Sequence, residues 1–154
     1  MKNYTLEVRS LFKKLKREYK CLKNIKLRIE SPPKGDNNSA YYSNDTIHIF
    51  NTTFKHGLNW SLCVLLHEVR HAMQDINYIF STNEWVKYES SFKHFFKIEM
   101  DADLWALKKF MKYYFTSEKD AKKKRRLRRF MFDFTDSMTD DYYFSCWENR
   151  NNKT

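Results

Sequence analysis

Glycine and proline are scarce in this chain, with two of each among 154 residues. Sandwiches and barrels of short strands need many tight turns, which these two residues commonly supply. Apolar residues make up 42% of the chain and aromatic residues 18%, so a disordered chain is also excluded. The composition favours a globular protein rich in helices, and the length suits one domain.

The three cysteines, Cys21, Cys63 and Cys146, are widely spaced and include no CxxC pair. This pattern argues against both a disulfide framework and a thiolate zinc site. We expect a reducing, cytoplasmic location for the protein, with Cys63 as a small core residue.

Long apolar runs are also missing. The most apolar run, from Trp60 to Leu66, falls far short of the roughly 20 residues that cross a bilayer. Residues 1–20 mix basic and apolar residues at helical spacing, unlike the unbroken apolar stretch of a secretory signal. We therefore expect neither export nor a membrane partner.

Acidic residues are outnumbered, with 19 Asp and Glu against 29 Lys and Arg. The most basic run, KKKRRLRRF, could contact several phosphates of a nucleic acid and would bind in a salt-dependent way. A solvated helix face is the alternative interpretation, because no base-reading motif accompanies the run. The candidate contact residues are Lys122, Lys123, Lys124, Arg125, Arg126, Arg128 and Arg129.

Hydrophobic spacing predicts the order of secondary structure in the first half of the chain. Apolar residues recur every three or four positions from Thr5 to Leu22, which predicts a helix within residues 1–24. Alternation from Ile25 to Glu30 predicts a strand. The runs AYY and TIHIF, within Tyr41–Phe50, predict a hairpin.

The second half of the chain is predicted to be helical. Asn59 can cap a helix that reaches Met73, and Ser81 with Glu84 is a second start signal. Further helical segments are expected over residues 84–115 with a break near 90–91, over the basic extension 116–154, and within it over 133–147. We expect a single α+β domain, residues 1–154, in which helices cover one face of a small antiparallel sheet.

The motif HEVRH places His67 and His71 four residues apart, so on a helix both imidazoles can reach one metal ion. Glu68 points about a quarter-turn aside, where it can accept a proton from a water on that metal. The alternative is an exposed histidine pair, with Glu68 bonded to Arg70 or to solvent. Apolar residues on the other helix faces favour the metal site, because a buried polar stripe needs partners.

The third ligand is best sought in FKIEMDADLWAL, which is predicted to be helical. We choose Glu99, with Asp101 and Asp103 as rival ligands. Asp103 lies four residues after Glu99 on the same face, where it could hydrogen-bond the far ring nitrogen of a zinc histidine. Two histidines, one carboxylate and a water would complete the tetrahedron of a catalytic zinc site, with one Zn²⁺ per chain.

These motifs, HEVRH followed by ExxAD at Glu99 and Asp103, resemble the gluzincin clan of zinc peptidases. The phrases LLHEVRHAMQ and EMDADLWA are most similar to the minigluzincins and the ImmA/IrrE-like peptidases, many of which phages and mobile elements encode. The resemblance covers about Thr46 to Leu107. Arg70 departs from the glycine common there, and no residue matches the family's oxyanion-stabilising tyrosine or histidine.

The resemblance implies a zincin-like fold, with a small sheet packed on the helix of the active site and a helix-rich C-terminal half. It also implies hydrolysis of a protein or peptide substrate, with an extended peptide adding to the TIHIF strand. The alternative function is a zincin-fold protein that binds nucleic acid or a partner and has a structural or vestigial metal site.

Overall fold

The computed structural model describes residues 1–152 and has an α+β architecture, mainly helical with one three-stranded sheet. The contacts divide the chain into two compact units, one formed by Met1–Ile79 and the other beginning at Phe80. The expected α+β class is confirmed. The single domain of residues 1–154 stays a prediction.

The first unit combines two helices with the sheet. Its elements are helix α1 (Thr5–Glu18), strands β1 (Lys26–Glu30), β2 (Ala40–Ser43) and β3 (Thr46–Phe50), and helix α2 (Leu58–Ile76). Helix α2 packs against α1, β2 and β3. On β3 the side chains of Ile47 and Ile49 are fully buried while His48 between them is partly exposed, so one face of the sheet is covered.

Strand β3 lies in the centre of the sheet, in the order β1–β3–β2. The predicted hairpin is confirmed, because β2 pairs with β3 in antiparallel fashion. The expectation of a wholly antiparallel sheet is wrong, because β1 pairs with β3 in parallel. Residues 31–39 separate β1 from β2 and carry the chain past β3, so β1 pairs with the opposite side of β3.

The central position of β3 also corrects the expectation for substrate binding. TIHIF is strand β3, which has a neighbouring strand on each side. Its backbone groups already form both ladders, so a peptide cannot add to it. Strand addition in this sheet is possible only at β1 or β2.

Helix α2 is held by a continuous apolar face. Its predicted core residues are buried: Leu62, Leu65, Leu66, Val69, Ala72 and Met73, together with Cys63. Each large aliphatic side chain buried here contributes about 1.5–3 kcal/mol. The helix begins at Leu58 after Gly57, whose φ of 95° suits glycine, so the prediction that Asn59 caps the helix is wrong.

The second unit is helical. Its elements are α3 (Thr82–Val86), α4 (Phe92–Phe110), α5 (Ala121–Ser137) and α6 (Asp140–Asn151), and a π-helical turn over Met111–Phe115 continues α4. Helix α4 packs against α6, and the π-helical turn packs against α5. None of the helices in residues 1–152 combines the length and apolar character that spanning a membrane requires.

Several helix ends in this unit follow the sequence signals. Ser81 and Glu84 form the predicted capping box at the start of α3. The predicted break near residues 90–91 is confirmed, because α4 begins after Ser91. The helical pattern expected over residues 133–147 is found, but in two helices, since α5 ends at Ser137 and Thr139 caps α6.

Candidate metal centre

Helix α2 brings His67 and His71 together one turn apart. Their Nε2 atoms lie 2.9 Å apart, and their ring centroids 4.6 Å apart. Two nitrogens bound to one tetrahedral zinc ion would lie roughly 3.3 Å apart, given Zn–N bonds of about 2.0–2.1 Å. A small rotation of either ring would therefore fit both nitrogens to one ion.

Gln74 holds the other nitrogen of His71. Its side chain is fully buried, and its Oε1 lies 2.7 Å from His71 Nδ1. The amide oxygen can only accept, so Nδ1 carries the proton in this hydrogen bond. In the neutral ring Nε2 is then the unprotonated nitrogen, and this is the tautomer that binds metal through Nε2.

Glu68 follows His67 on α2 and is also largely enclosed, with 7% of its surface exposed. Burial removes the hydration of a carboxylate, so a charged group in such surroundings needs polar partners. Its place beside the histidine pair is the one expected for a general base. The alternative interpretation expected both histidines to be exposed. In the structure His71 is buried and His67 is half-buried.

On helix α4, Glu99 accepts a hydrogen bond from a tyrosine. Oη of Tyr88, which lies between α3 and α4, donates to Glu99 Oε1. The guanidinium of Arg150 lies 5.0 Å from the centroid of the Tyr88 ring. The carboxylate is therefore positioned by a neighbour outside its own helix, and the hydrogen bond occupies one of its oxygens.

Asp103, one turn after Glu99, has a similar partner. Oη of Tyr143 on α6 donates to Asp103 Oδ2 at 2.6 Å, and the tyrosine is 2% exposed. Burial, and then the neighbouring Asp103 charge, raise the pKa of Tyr143 well above its usual value of 10. Ala102 is fully buried on this helix, as its small side chain allows. The proposed bond from Asp103 to a zinc histidine stays a prediction.

His67, His71 and Glu99 form a group that could hold a metal ion. Each offers one ligand atom, and these atoms all lie within 4.8 Å of one another. Residues 1–152 contain no other group of three or more possible ligands within that distance. Neither Asp101 nor Asp103 belongs to this one. The geometry thus favours the chosen third ligand over its rivals.

Three side chains hydrogen-bond His71, Glu99 or Asp103 but were not predicted from the sequence to do so. Gln74 could have been found, because it lies three residues after His71 on the same helix face. Tyr88 and Tyr143 lie 11 and 40 residues from their carboxylate partners. No spacing rule links residues across separate helices, so only the fold reveals those two pairs.

Two other histidines, His48 and His94, have partners outside this group. His48 Nδ1 lies 2.7 Å from Glu30 Oε1, and the His48 ring stacks on Tyr41. His94 Nδ1 lies 2.9 Å from the hydroxyl oxygen of Ser91. The seven basic residues of the predicted nucleic-acid contact all lie on helix α5.

Comparison of the chain with protein-family models, with curated proteins and with solved structures finds no match. The interpretation of the site therefore depends on its own residues and geometry.

Proposed function

We propose that this protein is a zinc-dependent peptidase of the gluzincin type, with a zincin-like fold. The observation that carries the proposal is the group of His67, His71 and Glu99, with ligand atoms within 4.8 Å of one another and Glu68 beside the first histidine. Together these residues supply the ligands and the base that metal-assisted hydrolysis needs.

The donor set fits zinc. Two imidazoles and one carboxylate are the protein ligands of several catalytic zinc sites, where a water takes the fourth position. The same donors also suit ferrous iron, so the identity of the metal is part of the test. A zinc ion held there would lower the pKa of a bound water and polarise the scissile carbonyl.

Glu68 is the residue that moves the proton in this proposal. Its carboxylate takes a proton from the attacking water, so the oxygen gains the nucleophilicity that neutral water lacks. The same carboxylate, now protonated, then donates that proton to the nitrogen of the leaving amine. Its enclosed position, with 7% exposure, keeps bulk water from competing for the proton.

A peptide substrate would pair with β2 in this proposal. β2 is an edge strand of the sheet, and it packs against α2, the helix that carries the histidines. Tyr42 on β2 also donates a hydrogen bond of 2.9 Å to Asp75 Oδ2 on α2. An extended peptide added to β2 would therefore lie along a strand that is tied to the helix of the site.

The test is proteolysis by the zinc-loaded protein. Fluorescent casein and a mixed peptide library serve as substrates, with mass spectrometry to locate cleaved bonds. Glu68→Gln should lower the rate by about 10²- to 10⁴-fold, because general acid–base catalysis contributes that much. Glu7→Gln, which changes an exposed carboxylate on α1, should cleave like the wild type.

Two results would count against the proposal. Cleavage that persists at the wild-type rate in Glu68→Gln would show that Glu68 is not the base. A zinc-loaded wild type that cleaves none of the library would favour the alternative function, a protein that binds nucleic acid or a partner and has a structural metal.

A further inference from the structure

Helix α5 presents a strongly basic surface that the proposed peptidase chemistry does not use. Its residues 122–129 are all basic except Leu127. Six of those seven basic side chains are exposed, and Lys124 is half-buried. Such a concentration of like charge costs electrostatic self-repulsion, which an anionic partner would relieve.

Four of the basic side chains form one stripe. Lys122, Arg125, Arg126 and Arg129 follow one another at helical spacings of three, one and three residues, so they share one side of α5. Seven residues of helix separate the first from the last, which is a span of roughly 10 Å. Two other cations, Lys124 and Arg128, contact an aromatic ring: they lie 4.9 and 5.6 Å from the ring centroid of Phe115.

The apolar side chains of α5 are packed within its own unit. The ring of Phe130 lies 5.1 Å from that of Phe110 and 6.2 Å from that of Phe134, centroid to centroid. Phe110 and Phe134 are both buried. An amphipathic helix binds a membrane by inserting a broad apolar face. On α5 the rings of that face are packed against Phe110, and Phe132, which is 63% exposed, is a single apolar side chain outside that contact. The stripe is therefore better suited to a polyanion in water than to a lipid surface.

Acidic residues are confined to the two ends of the helix. Asp120 caps the N-terminus through a 2.8 Å hydrogen bond from the backbone N–H of Lys123. Asp133 and Asp136 lie in the last turns, and Asp133 Oδ2 is 4.0 Å from Arg129 Nε. No acidic side chain interrupts residues 121–132, so the first half of the helix keeps its full positive charge.

We propose that the stripe of Lys122, Arg125, Arg126 and Arg129 binds the phosphate backbone of nucleic acid without reading its sequence. Charge complementarity identifies the partner: four cations on one side of a rigid helix can contact several phosphates along a strand. Arginine supplies three of the four contacts, and its planar guanidinium can donate two hydrogen bonds to one phosphate. The proposal is independent of the peptidase proposal.

The experiment measures binding of a fluorescent 20-base-pair DNA duplex of arbitrary sequence by anisotropy, from 50 to 200 mM salt. Four phosphate contacts predict a slope of about −3.6 in log K against log salt, and unrelated duplexes should bind alike. Arg125→Glu/Arg129→Glu should lower the affinity by more than about tenfold at low salt, and the slope of any residual binding should be shallower.

A matched control separates the stripe from the net charge of the protein. Arg9→Glu/Lys13→Glu reverses two exposed charges on α1 at the same spacing, and so changes the net charge by the same amount. This variant should bind DNA like the wild type. Circular dichroism and thermal denaturation of both variants show whether either has lost its fold.

Three outcomes would overturn the proposal. The first is a wild-type protein that does not bind the duplex at 50 mM salt. The second is an equal loss of affinity in the two double variants, because general attraction by the net charge of +10 would then explain binding. The third is binding to vesicles of phosphatidylcholine and phosphatidylserine that the α5 variant abolishes, without any binding to DNA.

Discussion

Oε1 of Gln74 and Nδ1 of His71 lie 2.7 Å apart within the buried side of helix α2. This hydrogen bond fixes the ring orientation and makes Nε2 the unprotonated nitrogen, which is the one that can bind a metal. The two residues are separated by less than one helical turn, so one helix supplies both the ligand and the group that orients it.

Replacing Gln74 should weaken metal binding without removing a ligand. Gln74→Met keeps the length of the side chain but removes the acceptor, and it should lower the zinc affinity by about 10- to 100-fold. Gln74→Glu retains an acceptor and should stay within a fewfold of the wild type. The affinity is measured by competition with a chromophoric chelator. A Met variant that binds zinc as tightly as the wild type would contradict this role.

The choice of Glu99 as the third ligand predicts an order of effects among three carboxylates. Glu99→Ala should lower zinc affinity by more than about 100-fold, because a direct ligand is lost. Asp103→Ala should have a smaller effect, on the order of 10-fold, if it orients a ligand. Asp101→Ala should have the least effect, because Asp101 lies two residues from Glu99 and points to another side of the helix.

The same competition titration measures all three variants, with circular dichroism as the check on folding. Equal losses for Glu99→Ala and Asp101→Ala would refute the assignment. A larger loss for Asp103→Ala than for Glu99→Ala would make Asp103 the ligand instead.

The raised pKa of Tyr143 predicts that the protein loses stability at alkaline pH. Its pKa is raised in the folded protein, by burial first and then by Asp103, from a usual value of 10. Stability from this group is therefore fully present below pH 10, and it is lost as the pH rises above 10 and the unfolded chain releases the proton first. Tyr143→Phe should unfold more easily at neutral pH, by about 1–3 kcal/mol, because Asp103 loses a donor.

Denaturant titrations at pH 7 and above pH 10 measure both effects. The decline in stability with pH should be smaller in Tyr143→Phe than in the wild type. Tyr78→Phe is the control, because Tyr78 is 83% exposed, and it should match the wild type at both pH values. An unchanged alkaline decline in Tyr143→Phe would show that this tyrosine does not titrate with unfolding.

The sequence was most informative where one helix carries the whole pattern. The apolar face of α2 and the spacing of His67 and His71 are local properties, and both appear in the structure as expected. The i, i+4 pair of Glu99 and Asp103 on α4 is local in the same sense. The residues that contact those carboxylates come from other segments, and hydrophobic spacing carries no information about such pairs.

The order of the strands in the sheet is likewise a property that hydrophobic spacing does not reveal. Alternation in TIHIF predicted a strand correctly, but it did not show that β3 would be central. Strand order depends on where the connections run, and residues 31–39 can carry the chain to either side of the hairpin. The prediction that this strand binds substrate failed for that reason, whereas the strand itself and its antiparallel partner β2 were found.

The most direct test of the metal centre is the metal content of the purified protein after equilibration with zinc and removal of free metal. Plasma mass spectrometry should find about one zinc per chain in the wild type and in Glu68→Gln, since Glu68 is a base and not a ligand. His71→Ala, checked for folding by circular dichroism, should hold far less. Folded wild-type protein that takes up no zinc, or a His71→Ala variant that retains it in full, would contradict the assignment of His67, His71 and Glu99 as the zinc site.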